Sequence, residues 1–426
     1  MKKIIYAGMC ADFLHHGHIN LIEQASSYGD VIIGLLTDEA VASYKNPPLL
    51  KYEHRKRVLE SIEVVKKVVP QTTLDYVPNL RELKPDYVIH TSNWSTGIQK
   101  TTRERVIEVL KEWGGELIEI LYTDGISSAQ FRDEKIKEGI TPHDRRAKLK
   151  RLIELKPIVR VLEAHNGLSG LIVEQTKSDY GEFDAIWESS LTDSASKGKP
   201  DTEIVDFTSR IQTIEQILEV TTKPLIVDGD TGGPADHFAY MVKRLERFGV
   251  SAVIIEDKVF PKQNSLLEGI THIQEDSKKF CQKIEIGKRA QITNDFMIVA
   301  RVESLIAGKS IADALERARM YIASGADGIM IHSKKVDPKE ILEFCGKYKK
   351  LEYKVPLVAV PTSYNSITEG ELKTAGVSVV IYANHLLRGS YAAMQQVAQT
   401  ILMYRRSKEV YDLCSPVEDL FKVVGK

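Results

Sequence analysis

An α/β protein of two domains is predicted, a parallel sheet covered by helices followed by a (β/α)8 barrel. Three observations carry that prediction. Residues 1 to about 135 alternate strand-like runs with helical stretches, the pattern of parallel strands joined by helical crossovers. Between Arg132 and Arg151 the apolar density falls and charges crowd around Gly139-Ile140-Thr141-Pro142, which marks a boundary. Beyond it come eight apolar runs, each closed by polar residues and separated by helical segments, the repeat of a barrel whose chemistry sits at the carboxyl ends of its strands. The expected division is 1–135 for the first domain, 136–149 for a linker and 150–426 for the barrel, consistent with a chain of 426 residues that exceeds one ordinary domain.

In chain order, the strand-like runs of the first domain are Ile4 to Ala7, Val31 to Leu36, Tyr87 to His90 and Leu117 to Leu121. Met1 to Ile5 could be mistaken for a signal peptide, but Asp12 interrupts the apolar stretch before a hydrophobic region of normal length develops. It reads as the first strand. The barrel runs are Val159–Leu162, Ala185–Trp187, Leu225–Val227, Val253–Ile255, Met297–Ala300, Gly328–Ile331, Leu357–Val360 and Val379–Ile381. None approaches the roughly 18 apolar residues of a membrane helix, so a soluble, cytoplasmic protein with no membrane partner is expected. Lys and Arg number 58 against 59 Asp and Glu, a net charge of −1. No global field attracts nucleic acid or an anionic membrane, and any phosphate recognition must be local. The four cysteines, Cys10, Cys281, Cys345 and Cys414, lie far apart, fit no paired metal spacing, and read as reduced, buried thiols.

The most informative segment is Glu256-Asp257-Lys258-Val259-Phe260-Pro261-Lys262-Gln263-Asn264-Ser265, where an apolar run ends abruptly in charge and then a polar loop. Upstream, Leu225-Ile226-Val227 runs into Asp228-Gly229-Asp230-Thr231-Gly232, and downstream Ile298-Val299-Ala300 runs into Arg301-Val302-Glu303. Asp228, Asp230 and Glu256 thus leave adjacent strands toward one mouth. Clustered carboxylates repel unless a cation sits among them, and hard oxygens favour Mg2+ held partly through waters. An ion-pair network with Lys258, Lys262 and Arg301 would satisfy the same charges without catalysis. Arg301 and His332, from the next two strands, could hold phosphoryl oxygens, although a histidine so placed could equally be packed or capping.

Across residues 150 to 426 the chain resembles the phosphoenolpyruvate mutases of the isocitrate lyase superfamily. The resemblance is carried by Glu163 to Ser169, Asp228 to Gly232, Glu256 to Ser265, Ile298 to Glu303, His332-Ser333-Lys334-Lys335 and Ala383-Asn384-His385. It implies isomerisation of phosphoenolpyruvate to phosphonopyruvate, the P–C bond-forming step of phosphonate biosynthesis. It also implies that Asp228 binds Mg2+, with Asp230 and Glu256 in the water-mediated shell and Asp201 in support. Arg301, His332, Asn264 and the stretch Trp187, Ser189, Ser190 and Leu191 would cradle the migrating phosphoryl, with Ser265 beside them. The loop bearing Lys262 and Asn264 would be a lid. Where these mutases read Gly-Ser-Gly-Leu after the tryptophan, this chain reads Glu188-Ser189-Ser190-Leu191, which puts the local loop geometry in question. Lyases of the superfamily carry a cysteine in the mobile loop, where this chain has Lys262-Gln263-Asn264-Ser265, and Cys281 belongs to the following helix. A phosphonopyruvate hydrolase stays open, with Asn264-Ser265 favouring the mutase. Such barrels are commonly tetramers, so a homo-oligomer is expected.

In the first domain, Ala7-Gly8-Met9-Cys10-Ala11-Asp12-Phe13-Leu14-His15-His16-Gly17-His18-Ile19 follows the first strand and opens a helix. A helix start beside glycine attracts phosphate, whereas the histidines lie too close together to converge on zinc easily. A second segment, Tyr122-Thr123-Asp124-Gly125-Ile126-Ser127-Ser128, again pairs glycine and hydroxyls with a helix start. The two resemble the cytidylyltransferase family, with its Rossmann-like fold, over residues 1 to about 135. The resemblance implies CMP transfer from CTP with release of pyrophosphate. His15 and His18 would stabilise charge on the α-phosphate, Lys45 and Arg55 would meet the triphosphate or acceptor, Asn93 and Trp94 would border the base, and Gly125, Ser127 and Ser128 would bind phosphates. Tyr122 stands where the family has an arginine. The domain order resembles a bifunctional enzyme of the fosfomycin pathway, so a small phosphonate such as 2-hydroxyethylphosphonate is the expected acceptor. A nucleotide-sensing domain without catalysis is the competing reading.

Overall fold

A computed structural model of the chain describes residues 2–45, 47–95, 99–121, 139–178, 181–267 and 269–425. It divides into two compact units, Met1–Gly139 with Lys177–Gly181, and Ile140–Thr176 with Glu182–Lys426. Among the described residues no helix is long and apolar enough to cross a membrane.

The first unit is a parallel sheet of β1 (Ile4–Met9), β2 (Asp30–Leu36), β3 (Val65–Gln71), β4 (Tyr87–Thr91) and β5 (Glu116–Ile120), ordered β3-β2-β1-β4-β5. The order reverses between β1 and β4, and crevices at the carboxyl ends of such a junction are where doubly wound sheets bind ligands. β3 is absent from the sequence expectation. Its run Val65-Lys66-Lys67-Val68-Val69-Pro70-Gln71 pairs with β2 alone, and an edge position tolerates the lysines and proline that hide a strand signal. Ile5, Ala7, Ile33 and Leu35 pack on one face of this sheet, and Tyr6, Val88 and Trp94 on the other.

The second unit opens with the helix Pro142–Leu155, N-capped by the Thr141 side chain accepting from Asp144 N. Part of the stretch expected as a linker is therefore a barrel helix, whose Leu149 and Leu152 join the interior cluster. β6 (Val159–Glu163) follows; β7 (Lys177–Ser178) and β8 (Gly181–Glu182) then pair as a two-stranded ribbon whose residues 177–181 are grouped with the first unit. The remaining barrel strands are β9 (Ala185–Glu188), β10 (Leu225–Asp228), β11 (Ala252–Glu256), β12 (Met297–Val302), β13 (Gly328–Ile331), β14 (Leu357–Ala359) and β15 (Val379–Tyr382). They close with β6 into an eight-stranded parallel barrel in chain order.

Strand periodicity decides what faces the mouth. Ala252 and Ile254 lie in the barrel interior, whereas Val253 and Ile255 pack against the helices. With a period of two, Glu256 then shares the inner face and Asp257 the outer one. The same count from Ile226, Val299 and Met330 brings Asp228, Arg301, Glu303 and His332 to the inner face. Cys281 sits on the helix Ser277–Ala290, and burial pushes its thiol upward. Cys414 is exposed, contrary to the expectation of four buried thiols, because it follows a short terminal turn, Lys408–Leu413, outside the barrel core.

Candidate active site

At the barrel mouth, Asp228 ends β10, and its Oδ2 accepts from Ser190 N at 3.3 Å and Ser190 Oγ at 2.9 Å. Its Oδ1 accepts from Asp230 N at 3.1 Å. Gly229 is required here, since a Cβ would lie 2.7 Å from Val253. Asp230 adopts a φ of +52°, a left-handed conformation that aspartate tolerates better than most residues. Its carboxylate pairs with Lys262 Nζ at 2.6 Å and Arg210 Nη1 at 2.8 Å. Burial pushes the Asp230 carboxyl up, but these two charges outweigh it and hold the group well below the usual range.

Lys262 Nζ also lies 3.4 Å from Asp201 Oδ1, 4.0 Å from Glu256 Oε1 and 2.9 Å from Ser190 Oγ. Asn264 Nδ2 donates to Asp201 Oδ2 at 2.5 Å, so Asp201 ties the loop to the mouth through both its oxygens. Glu256 is buried, and among the described residues neither of its oxygens finds a hydrogen bond. Burial pushes its carboxyl up to about 7 against the pull of Lys262, Arg301 and Lys258.

Across the mouth, Glu303 collects Lys258 Nζ at 3.0 Å, Ser265 Oγ at 2.6 Å and Arg301 Nε at 2.5 Å. Arg301 Nη2 reaches Ser265 Oγ and His332 Nδ1, each at 2.8 Å, and Glu256 Oε2 at 3.3 Å. Burial and the Arg301 charge lower the His332 pKa. His332 Nδ1 also lies 3.2 Å from Glu303 Oε1, but its shorter contact is to a guanidinium, which can only donate, so in the neutral ring Nδ1 accepts and Nε2 carries the proton. Trp187, Ser189, Ser190, Leu191, Asp201, Asp228, Lys262, Asn264, Ser265, Arg301 and His332 all line one cavity of about 50 Å3. Asp230 and Glu256 stand behind Lys262.

The exchange of glycine for Glu188 and Ser190 leaves no left-handed residue in that turn. Ser190 adds a hydroxyl bond to Asp228, while Glu188 faces away from the mouth. Two groups outside the sequence expectation join the site. Glu303 was legible as the next inner-face position after Arg301. Arg210, from the helix Phe207–Val220, carries no local signal.

The donor set fits a divalent cation held largely through waters. Asp228, Asp230 and Glu256 offer hard oxygens; Asp230 is engaged by Lys262 and Arg210, while both Glu256 oxygens lack hydrogen-bond partners among the described residues. Among those residues no group of three His, Cys, Asp or Glu side chains is arranged to hold a metal ion by itself, so a cation here would keep several waters, as Mg2+ usually does.

In the first unit, His15 and His18 flank the start of the helix His16–Tyr28, with ring centroids 4.0 Å apart. His15 N donates to His18 Nδ1 at 3.4 Å, which puts the proton of the neutral His18 ring on Nε2. Burial, then the charges of His15 and Lys45, lower the His18 pKa to about 4, so the ring is neutral at neutral pH. Lys45 is half-buried, its Nζ 5.3 Å from the Tyr44 ring. Arg55 departs from expectation. It is buried and donates to Leu50 O at 3.0 Å, Cys10 O at 2.5 Å and Asp38 Oδ1 at 2.6 Å, so it clamps the loop after β1 instead of opening toward a triphosphate. Trp94 also departs: it is buried in the core, with Nε1 donating to Glu119 at 2.9 Å and one face stacked on His90 at 3.9 Å. That stacking leaves His90, not Trp94, nearer the solvent. Asn93 lies on the turn Ser92–Ser95. Tyr122, Gly125, Ser127 and Ser128 lie outside the described residues.

Known proteins share this architecture. The family model described as Cytidylyltransferase-like matches residues 6–134, and that described as Phosphoenolpyruvate phosphomutase matches residues 149–402. The phosphoenolpyruvate phosphomutase of Tetrahymena pyriformis is 37% identical over 279 residues, 65% of this chain and 90% of that protein. The phosphonopyruvate hydrolase of Variovorax sp. (strain Pal2) is 36% identical over 266 residues, 62% of this chain and 89% of that one. Among solved structures, a phosphoenolpyruvate phosphomutase from Streptomyces platensis subsp. rosaceus superposes with a TM-score of 0.62 at 38% identity, covering 66% of this chain and 95% of that one. A phosphonopyruvate hydrolase in complex with oxalate and Mg2+ gives 0.59 at 33% identity, covering 67% and 95%. Since the match spans every barrel strand and the carboxylate mouth, the chain belongs to the phosphoenolpyruvate phosphomutase family and carries a cytidylyltransferase-like domain ahead of its barrel.

Proposed function

We propose that the barrel isomerises phosphoenolpyruvate to phosphonopyruvate and that the first domain transfers CMP from CTP to a small phosphonate. The observation that carries the barrel reading is the closure of Lys262, Asn264 and Ser265 over the cavity, each tied to a mouth carboxylate. Asp228 would bind Mg2+, with Asp230 and Glu256 holding its waters. When bound, the ion supplies Lewis-acid stabilisation of the substrate carboxylate and the developing enolate. Arg301, the His332 Nε2–H and Asn264 hold the phosphoryl oxygens. Phosphorus leaves the enol oxygen and bonds to C3, which becomes the P–C bond, and no atom is gained or lost. If the phosphoryl passes through a metaphosphate-like state, the protein's task is orientation and exclusion of water.

The loop is then a lid. Its base is closed by Val259 N donating to Ile273 O at 3.0 Å and Glu275 N to Asp257 O at 2.9 Å. Asn264→Ala removes both the phosphoryl donor and the Asp201 tie. Isomerisation is expected to slow by roughly 100-fold, the scale of losing one donor to developing charge, with a larger share of substrate ending as pyruvate and phosphate. Unchanged turnover in the variant rules the role out. The near-equal likeness to the Variovorax hydrolase keeps hydrolysis as the second reading. Phosphorus-31 NMR of phosphonopyruvate with the protein decides it: phosphoenolpyruvate as the product supports the mutase, inorganic phosphate the hydrolase.

In the first domain the neutral His18 ring, with its proton on Nε2, would meet the α-phosphate beside His15 and Lys45. A phosphonate oxygen attacks that phosphorus and pyrophosphate leaves. Gly125, Ser127 and Ser128 would grip the phosphates, and Asn93 would border the base. Tyr122 replaces the family's arginine with a neutral hydroxyl, which favours an acceptor with no second anionic group. We expect kcat/KM with CTP to be higher for 2-hydroxyethylphosphonate or 2-aminoethylphosphonate than for glycerol phosphate or phosphocholine. A best rate on either of the latter would defeat the phosphonate reading. No pyrophosphate release with any acceptor would favour a sensing domain. Homo-oligomerisation is supported by the 20-residue helix His385–Tyr404, which buries none of its residues and exposes Tyr391, Met394, Leu402 and Met403. Light scattering on the purified chain tests it.

A further inference from the structure

Behind the mouth lies a second buried charge cluster that the proposed chemistry does not use. Glu188 ends β9 on the outer face, in register with Ile186 of the outer core. Asp193 follows on the helix Ser190–Ser196. Between them and the mouth sits Arg210, buried in the first turn of the helix Phe207–Val220, whose N-cap is Asp206.

Arg210 Nη1 donates to the Asp228 carbonyl at 2.6 Å and pairs with Asp230 Oδ2 at 2.8 Å. Its Nε lies 3.8 Å from both Glu188 Oε1 and Asp193 Oδ2. Asp193 Oδ1 in turn accepts from Thr213 Oγ1 at 2.6 Å and pairs with Lys197. One guanidinium therefore serves the backbone of one mouth aspartate and the side chain of the next. Asp230 needs such a hold, because its left-handed φ of +52° is a conformation that persists only when the surroundings impose it.

We propose that Arg210 is a positioning residue: backed by Asp193 and Glu188, each 3.8 Å from its Nε, it sets the relative placement of the Asp228 and Asp230 carboxylates and so the affinity of the mouth for a divalent cation. The proposal rests on the reading of the mouth as a Mg2+ site. Lysine cannot replace the arginine, since its nitrogen ends one bond short of Nη1 and is a point charge without the planar fork. Groups that orient metal ligands from outside typically change metal affinity 10- to 100-fold when altered.

The test is titration of Mn2+ against the full chain, with free ion read by electron paramagnetic resonance, for wild type, Arg210→Lys, Arg210→Met and Asp193→Asn. Arg210→Lys is expected to weaken Mn2+ binding by about 10-fold or more, and Asp193→Asn, which removes the rear anchor, by a smaller factor in the same direction. At saturating Mg2+ the KM for phosphonopyruvate in Arg210→Lys should stay within about threefold of wild type, a split that general loosening of the barrel would not give. Folded Arg210→Lys and Asp193→Asn proteins with wild-type Mn2+ affinity would overturn the proposal, whatever their Tm. Wild-type protein that binds no Mn2+ would overturn the metal reading of the mouth itself. Should Arg210→Met fail to fold, the lysine and Asp193 variants decide the matter.

Discussion

Asp228→Ala is expected to abolish interconversion of phosphoenolpyruvate and phosphonopyruvate while leaving CMP transfer within about twofold, and His18→Ala to do the reverse with a loss of roughly 100-fold or more. Asp228 sits at the centre of the mouth, accepting from Ser190 and Asp230, and no neighbouring carboxylate has its position. His18 pairs with His15 at the start of the helix His16–Tyr28. Each group belongs to a unit with its own core, so the two substitutions are expected to act separately. Both reactions are assayed on both variants, with circular dichroism to confirm folding. Equal loss of both activities in a folded Asp228→Ala protein would sink the assignment of two separate sites.

The second large effect is expected at Glu303. Glu303→Ala leaves Lys258 and Arg301 buried without their shared carboxylate and frees Ser265 from it. Breaking a buried pair from one side costs about 3–5 kcal/mol, which for a unit of this size lowers Tm by roughly 10 °C. Isomerisation should fall about 100-fold as well, because Arg301 and the Ser265 end of the loop lose their common anchor. Glu303→Gln preserves the shape and one acceptor and should recover part of the stability but little of the rate. The Tm of the barrel transition by calorimetry and kcat on phosphonopyruvate check both. An alanine variant with wild-type Tm would show that the cluster's charges do not depend on Glu303.

Much of the barrel was legible in the chain because its physics is local. Apolar runs that end in charge identify strands closing on a polar mouth, and all eight barrel runs correspond to observed strands. Periodicity of two, counted along β11 and β12, separates Glu256 from Asp257 and pairs Arg301 with Glu303. β3 escaped because an edge strand carries lysines and a proline that a central strand could not. Arg55 and Trp94 escaped for a different reason. A motif places a residue near a site, but whether its side chain opens outward or is clamped inward depends on partners such as Asp38 and Glu119, which are remote in sequence from the motif.

What the sequence by itself determined is therefore the order of elements, the identity of the carboxylates and cations at strand ends, and the loop from Glu256 to Ser265. The tertiary structure alone decided which of those charges meet. Lys262 reaches Asp230 and Asp201 across 32 and 61 residues, and Arg210 reaches the Asp228 backbone from a helix of its own. Burial then decided how they titrate, lifting Glu256 to about 7 while Arg210 and Lys262 keep Asp230 ionised. The reason is that pairing depends on distance and desolvation on the surrounding packing, and neither is a property of any short stretch of chain.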